Sequence, residues 1–319
     1  GHTLALRAAG VEVVAICGRT PEPARAMAEQ LGVAEVRFDW RDALDELRPD
    51  IVAIATPAGP HRDIAVAAAG AGCHVVCEKP LAVDVIEARA MLRAVERAGV
   101  KHAYGATGCY APSCVHTRRL LADGLIGQVR EIDYLSHVSL PPLVPYFWAH
   151  RLAEGGGTLN GVFAHQLQQV LFMTGGRVRA ACGEARVVSS RVPVGPPIHD
   201  FRHAFGAVLT PEEAAVAEWR ETDADGAYTV LTQLQMPDGA MAGVLHRNSG
   251  AGDPLPSSSV TFFGSEGMLR LRGTFFPDRT IEHFDPARGE WTDVALPRAV
   301  LDALPPVEDA VQRQWHQLY

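Results

Sequence analysis

The chain predicts two domains in series, an α/β domain built on a parallel doubly wound sheet and an α+β domain built on a mostly antiparallel sheet. Three observations carry this. Up to about residue 110, short apolar β-branched runs alternate with helical patterns, which calls for crossover connections and parallel strands. Beyond Ala111, strand-like runs follow one another through turn sequences such as Pro237-Asp238-Gly239. The 319 residues are 47% hydrophobic and 21% charged, too many for one typical domain and apolar enough to fill two cores. The expected division is 1–110, 111–305 and a C-terminal helix over 306–319.

Taken in order, Val11–Cys17 is a strand that stops at Gly18-Arg19-Thr20-Pro21, and a helix follows over Glu22–Leu31 until Gly32 closes it. Asp42–Leu47 reads as a short helix, Asp50–Ala55 as a buried strand ending at Thr56-Pro57, and Asp63–Ala71 as an Ala-rich helix closed by Gly72. Next come a strand over His74–Cys77, a long helix over Val83–Ala98 closed by Gly99, and a strand over Lys101–Gly105. In the second domain Pro112 opens a helix running to Asp123-Gly124, Gln128–Ser139 alternates as a long strand, and Leu159–Met173 is helical up to Gly175-Gly176. Strand patterns then cover Val178–Ser189, Tyr228–Met236, Ala240–Arg247, Ser259–Phe263, Met268–Arg272 and Thr280–Phe284.

Composition excludes several classes. A formal charge of −8 with no clustered Lys/Arg argues against a nucleic-acid partner and for a small-molecule one. The apolar runs, such as Ile51–Ala55, fall short of the roughly 20 residues a membrane helix needs, so a soluble protein is expected. The six cysteines form no C-x-x-C pair and no metal-ligand spacing, which reads as buried thiols in a reducing cytoplasm with no metal. The chain opens Gly1-His2-Thr3 directly into a helical pattern, and Val307–Tyr319 reads as a helix without a C-cap signal, so further sequence is expected on both sides.

Chemistry concentrates in Val75-Val76-Cys77-Glu78-Lys79-Pro80, an apolar strand that delivers a carboxylate and an ammonium at its carboxyl end, where open α/β sheets bind ligands. Such a sheet usually holds a dinucleotide with glycines in its first β-α turn, and here only Gly1 stands in the place of the last of those glycines. At the end of the next strand, Gly18-Arg19-Thr20 has no carboxylate for a ribose 2′-hydroxyl. Arg19 and Thr20 suit a 2′-phosphate instead, which favours NADP over NAD; a turn glycine beside a solvated arginine is the other reading.

The chain resembles the glucose-fructose oxidoreductase / inositol dehydrogenase / rhizopine-catabolism oxidoreductase (Gfo/Idh/MocA) family. The resemblance rests on Ile54-Ala55-Thr56-Pro57 with His61, on Glu78-Lys79-Pro80, and on Glu154-Gly155-Gly156-Gly157 leading to His165, in that order. It implies a Rossmann domain, with Ala55, Thr56 and Pro57 lining the cofactor, Lys79 between nicotinamide and substrate, and often a cis bond before Pro80. Lys79 is then the expected proton carrier, since a neighbouring nicotinamide cation and exclusion of water disfavour its ammonium, and Glu78 orients Lys79 or the ribose. His61 is either a cofactor contact or a helix-cap histidine. The glycine run is either a flexible turn or a place where backbone passes close to a cofactor.

Two departures from the family stand out. The Asp usually found four residues before the histidine is Gly161 here, and Asn160, five residues before His165, lies over a third of an α-helical turn away from it. After Gly105 the family's Asn and Arg are absent, leaving Tyr110 as a pocket residue. The loop holding Tyr146, Phe147, Trp148 and His150 offers Trp148 as an apolar wall for a sugar-like, polyol or cyclic diol substrate, or else packs on the core. Pro193–Pro211 is either a lid or a surface excursion. The resemblance implies a homodimer or homotetramer paired through the second-domain sheet. The leading expectation is NADP- or NAD-dependent hydride transfer by Lys79 and His165. The alternatives are a cofactor-binding sensor and a redox-assisted glycoside-cleaving enzyme.

Overall fold

The computed structural model describes residues 1–198, 201–250, 257–274, 279–305, 307 and 309–319. The chain forms two compact units. One holds residues 1–105, 153–155 and 318–319; the other holds 106–152 and 156–317.

The first unit contains, in order, α1 (His2–Ala8), β1 (Ala15–Cys17), α2 (Pro21–Leu31), β2 (Glu35–Arg37), α3 (Trp40–Leu47), β3 (Ile51–Ile54), α4 (His61–Gly70), β4 (His74–Cys77), α5 (Val85–Ala98) and β5 (His102–Tyr104). Every strand pairing is parallel, in two ribbons, β1–β2 and β3–β4–β5. Strand β2 was not expected, because Glu35-Val36-Arg37 carries a single apolar residue and offers no run to read.

Local chemistry sets the helix boundaries. Gly32 and Gly99 end α2 and α5 in the left-handed conformation, at φ 62° and 66°, where a Cβ would be strained. Helix α5 begins at Val85 rather than Val83 because the Asp84 side chain accepts the Glu87 N–H at 2.8 Å, satisfying a donor that the first turn leaves open. The core between helices and strands is Ile54, Ile64, Val75, Met91 and Val95 with several alanines.

The second unit contains α6 (Pro112–Ala122), β6 (Val129–His137), α7 (Ala164–Thr174), β7 (Arg177–Arg186), β8 (Arg191–Pro193), α8 (Pro211–Val216), β9 (Trp219–Glu221), β10 (Ala227–Gln235), β11 (Met241–Asn248), β12 (Ser257–Gly264), β13 (Met268–Thr274), β14 (Arg279–Asp285), β15 (Glu290–Val294), α9 (Arg298–Asp302) and α10 (Ala310–Leu318). Eight strands form one sheet in the order β15-β14-β13-β12-β6-β11-β10-β7. Only the β6–β11 pairing in it is parallel, so the sheet is mostly antiparallel. The expected helix from Val307 is observed from Ala310, and residues 306 and 308 lie outside the described residues.

Period-2 alternation decides which face is covered. Along β10, Tyr228, Val230, Thr232 and Leu234 are buried while Leu231, Gln233 and Gln235 are exposed. The buried face joins Ile132, Val244, Val260, Phe262, Leu269 and Leu271 to Val170 and Met173 of α7.

A polar seam runs through this apolar layer. Tyr134 Oη donates to Gln169 Oε1 at 2.5 Å, and the Arg279 guanidinium donates to Tyr134 Oη at 2.6 Å and Gln169 Oε1 at 3.1 Å. Gln166 Nε2 donates to Ser136 Oγ at 2.9 Å, and Ser136 Oγ donates to Asn248 Oδ1 at 3.0 Å. Because buried polar groups are costly when unpaired, these bonds fix the rotation of α7 on the sheet.

Phe262 is fully buried at the centre of that core. Phe262→Ala should therefore lower unfolding free energy by about 3–5 kcal/mol, read by urea denaturation of the full chain. A loss below about 1 kcal/mol would contradict this assignment of the core.

Candidate active site

Strand β4 is buried through Val75, Val76 and Cys77, and the ladder continues past it, with Glu78 N–H donating to Ile54 O at 2.9 Å. Lys79 and Glu78 therefore leave the sheet at its carboxyl edge. The Lys79–Pro80 peptide is cis, the geometry the family resemblance implies. Glu78 folds back so that Oε2 accepts the Lys79 backbone N–H at 2.9 Å. Burial lowers the Lys79 pKa, and the Glu78 carboxylate opposes that by favouring the ammonium.

Gly105 lies against this turn. Its N–H donates to Cys77 O at 2.7 Å, and a Cβ there would sit 3.1 Å from Glu78 Cα and 3.4 Å from Glu78 Oε2. A side chain there would crowd the carboxylate, and the turn would have to give by a few tenths of an ångström to admit it. Burial, reinforced by the charge of Glu78, raises the Tyr104 phenol and pushes the Cys77 thiol up to about 12, so both stay protonated.

The ring of His61 is fully buried at the start of α4. Nε2 lies 2.9 Å from Thr56 O; Nδ1 lies 3.1 Å from Leu81 O and 3.3 Å from Cys77 Sγ. Thr56 O and Leu81 O can only accept, so the tautomer with its N–H on Nε2 bonds Thr56 O and leaves Nδ1 to accept from the Cys77 thiol.

Ala55 and Thr56 are exposed at the end of β3, and Pro57 is half-buried beside them. Arg19 and Thr20 are exposed at the end of β1, and the Thr20 hydroxyl does not cap α2. Gly18 is demanded by packing, since a Cβ would lie 2.9 Å from Ala24 Cβ. Gly1 is exposed at the head of α1. Gly155, at φ 80°, also belongs to this unit, and its Cβ would lie 2.5 Å from Ala58 Cβ and 3.3 Å from Pro80 Cγ.

The sequence reading missed two residues around Glu78. His2 Nε2 lies 3.6 Å from Glu78 Oε1, and His2 Nδ1 lies 2.6 Å from Tyr319 Oη. Burial and the Glu78 charge raise the Tyr319 pKa. Nothing local marks this pairing, because its partners are 317 positions apart.

In the second unit His165 is buried in the first turn of α7. The stretch before it differs from the single α-helix expected over Leu159–Met173: Leu159–Phe163 form a π turn. A π turn closes i→i+5 bonds, so five residues make about one turn rather than 1.4. Asn160 is therefore rotated less from His165 than α geometry would give. Its side chain, however, points back to the glycine run, Nδ2 donating to Gly156 O at 3.1 Å. Apart from its own neighbouring backbone, no described atom comes within 4 Å of a Cβ built at Gly161, so the position is open.

Gly156 and Gly157 are held rather than loose. Gly156 N–H donates to Arg151 O at 2.9 Å and Gly157 N–H to Ala149 O at 3.1 Å. A Cβ on Gly156 would meet the Ala149 carbonyl, and one on Gly157, at φ 94°, would meet Asp225 Oδ1. Asp225 is a further residue the sequence did not reveal. Its Oδ2 accepts the Thr158 hydroxyl and the Leu159 N–H, both at 2.7 Å, capping the turn that leads to His165.

Tyr110 is half-buried, edge-on to Phe172 at 6.0 Å. Trp148 packs with Phe147 at 5.9 Å and Phe201 at 5.9 Å. His150 is buried in the same cluster, and burial takes its pKa down to about 4. The Pro193–Pro211 stretch is bonded to this loop, with Tyr146 N–H donating to Pro193 O at 2.8 Å and Leu209 N–H to Leu143 O at 3.0 Å; its residues 199–200 lie outside the described residues. Among the described residues no His/Cys/Asp/Glu group suits a metal, and no helix is long and apolar enough to cross a membrane.

Comparison with known proteins agrees with this organisation. Residues 2–106 match the oxidoreductase family with an NAD-binding Rossmann fold, and residues 114–270 match the GFO/IDH/MocA C-terminal domain. Levoglucosan dehydrogenase of Pseudarthrobacter phenanthrenivorans is 28% identical over 261 residues, 80% of this chain and 63% of that protein, so the chain spans less than two thirds of that relative. An oxidoreductase domain protein from Kribbella flavida superposes with a TM-score of 0.78 at 25% identity, covering 99% of this chain and 83% of that one. A levoglucosan dehydrogenase in complex with NADH and levoglucosan shares the fold, with a TM-score of 0.78 at 20% identity over 99% of this chain and 84% of its own. With both family domains matched in order, the chain belongs to the Gfo/Idh/MocA oxidoreductase family.

Proposed function

We propose that this protein transfers a hydride between a nicotinamide cofactor and a secondary hydroxyl of a sugar-like, polyol or cyclic diol substrate. The observation that carries the reading is Lys79, delivered by a buried parallel strand, its ammonium disfavoured by burial beside a carboxylate. Levoglucosan dehydrogenase among the relatives supports the substrate class.

The first unit suits a dinucleotide at the carboxyl ends of its parallel strands, where Arg19, Thr20, Ala55 and Thr56 are exposed while the strands behind them are covered. Gly1, Gly18, Arg19, Thr20, Ala55, Thr56, Pro57, His61, Glu78 and Lys79 are the proposed cofactor residues, His61 acting through the Thr56 carbonyl it holds. Bound there, the nicotinamide supplies the acceptor or donor for hydride. Lys79 Nζ takes the hydroxyl proton as the carbinol becomes a carbonyl, and returns it in the reverse direction. His165 assists with a substrate hydroxyl, and Tyr110 and Trp148 shape the pocket. The open position at Gly161 favours a second reading, a cofactor-binding sensor without turnover.

Lys79→Ala should lower kcat/KM on a polyol and aldose panel by about 10²–10⁴-fold. Unchanged activity in that variant would sink the role of Lys79, and absence of turnover by the parent protein would favour the sensor. Because burial lowers the Lys79 pKa, oxidation should gain its base at lower pH than a free lysine would allow.

The preference for NADP rests on exposed Arg19 and on a Thr20 hydroxyl not spent on the helix cap. The nearby Asp39, whose charge adds to burial in raising the Cys17 thiol, weighs toward NAD. Arg19→Ala should weaken NADPH binding about tenfold by fluorescence titration and leave NADH within about twofold. Tighter NADH binding by the parent protein would overturn the preference.

A homodimer or homotetramer through the outer face of the eight-stranded sheet is the proposed assembly. Leu231 and Met241 are 52% and 44% exposed there, and Leu231 stands opposite Leu245 in the ladder. Leu231→Asp should shift the mass measured by light scattering to the monomer; a parent protein that is itself monomeric would refute the assembly. The proposed setting is cytoplasmic; of the six thiols expected to be buried, Cys73, Cys77, Cys109 and Cys114 are buried, whereas Cys17 and Cys182 are exposed.

A further inference from the structure

We propose that Asp225 is a positioning residue of the site: its carboxylate holds the π turn before α7 in its wide register and so aims the His165 imidazole. The inference deepens the reading of His165 as the residue that assists at a substrate hydroxyl, and rests on it.

The turn has no cap of its own. Thr158, the residue before it, makes no side-chain bond to the turn's open N–H groups. Its hydroxyl donates instead to Asp225 Oδ2 at 2.7 Å, and its N–H to the Asp225 carbonyl at 3.0 Å. The same Oδ2 accepts the Leu159 N–H at 2.7 Å, so the donors at the head of the turn end on one residue that is remote in the sequence. Gly157 permits the approach, since a Cβ there would collide with Asp225 Oδ1.

Asp225 is itself tied to the sheet. Gly226, next to it, donates its N–H to Arg186 O of β7 at 2.9 Å, and its carbonyl accepts from Asn248 Nδ2 of β11 at 3.2 Å. Asn248 Oδ1 accepts from Ser136 Oγ, which in turn accepts from Gln166 Nε2 of α7. His165, between Phe163 of the turn and Gln166 of the polar seam, therefore lies between two polar anchors set on the same sheet.

The apolar contacts of the turn do not choose its register. Leu159, Val162 and Phe163 pack in one cluster with Tyr228 and Val230 of β10, and Phe163 is edge-on to Tyr228 at 5.9 Å and to His246 at 5.0 Å. At i, i+3 and i+4 those three side chains would share one face of an α turn as well, and hydrophobic contact has no direction. The bonds to Asp225 do have direction. A helical side chain leans toward the N-terminus and covers the turn before its own Cα, so the backbone beneath the His165 imidazole is the turn whose head Asp225 holds. Closing that turn from π to α would tighten it and re-aim the ring.

With 13C-labelled histidine in the full chain, each imidazole gives a Cε1–H signal, and the one lost in His165→Gln belongs to His165. Asp225→Ala should displace this signal by more than its line width, and Asp225→Asn, which keeps a capping acceptor, should return it toward the parent position. Thr158→Val removes one donor from Oδ2 and no backbone bond; it should displace the signal by less, and it decides the matter if circular dichroism shows Asp225→Ala unfolded. On the substrate of the polyol and aldose panel that the parent turns over fastest, Asp225→Ala should lower kcat/KM about 10- to 100-fold. In a His165→Gln background the same change should cost less than about twofold, because no imidazole is left to aim. An unmoved signal, or equal losses with and without the imidazole, would overturn the proposal and leave Asp225 a purely structural cap. Turnover left intact by His165→Gln would remove the role of His165 and this inference with it. A displaced signal restored by Asp225→Asn, in a parent protein that turns nothing over, would uphold the aiming of His165 and remove the dehydrogenase reading alone.

Discussion

An amine withdrawn from water next to a carboxylate is the constraint around which the first unit is arranged. Withdrawing the Lys79 ammonium from water is unfavourable, and Glu78 returns part of that loss. The carboxylate must in turn be held, and the surrounding residues follow from that need. Gly105 passes close beside it, where a Cβ would be crowded against Glu78. The Lys79 N–H occupies one of its oxygens, and the covered thiol and phenol nearby remain neutral rather than compete for charge. His61 lies between Thr56 O and the Cys77 thiol, joining the loop that leaves β3 to the end of β4.

The second unit solves a different problem. An apolar interface between a helix and a sheet specifies little about rotation, because hydrophobic contact has no direction. Directional bonds from Gln166 and Gln169 to Ser136, Tyr134 and Arg279 supply what the apolar layer lacks. His165 lies next to Gln166 in the sequence, so the seam that locks α7 also decides which way the imidazole projects.

How legible all this was follows from the range of each determinant. Gly32 and Gly99, the alternation in β10 and the apolar run ending at Glu78 are local, and a reader of the chain finds them where the fold uses them. Strand β2 escaped because three residues with one valine make no pattern. The π turn escaped because an i→i+5 register leaves no mark in composition, and it changed the relation of Asn160 to His165 that α periodicity predicts. The glycine run was visible as glycines, but its causes, Ala58, Ala149 and Asp225, were not. Contacts such as His2 with Tyr319 arise only when the chain is folded.

Asp225 carries one more consequence, for the order in which structure forms. Its carboxylate caps the turn before His165 from 66 positions downstream, and its carbonyl accepts the Thr158 N–H. Until that segment, at the threshold of β10, has returned, the Thr158 and Leu159 donors are open to water and the glycines preceding them have little to restrain them. Closing so long a loop costs entropy that no local contact offsets. The helix bearing His165 can therefore coil early, but its first turn, the part that aims the imidazole, sets only after the strands behind it have come together.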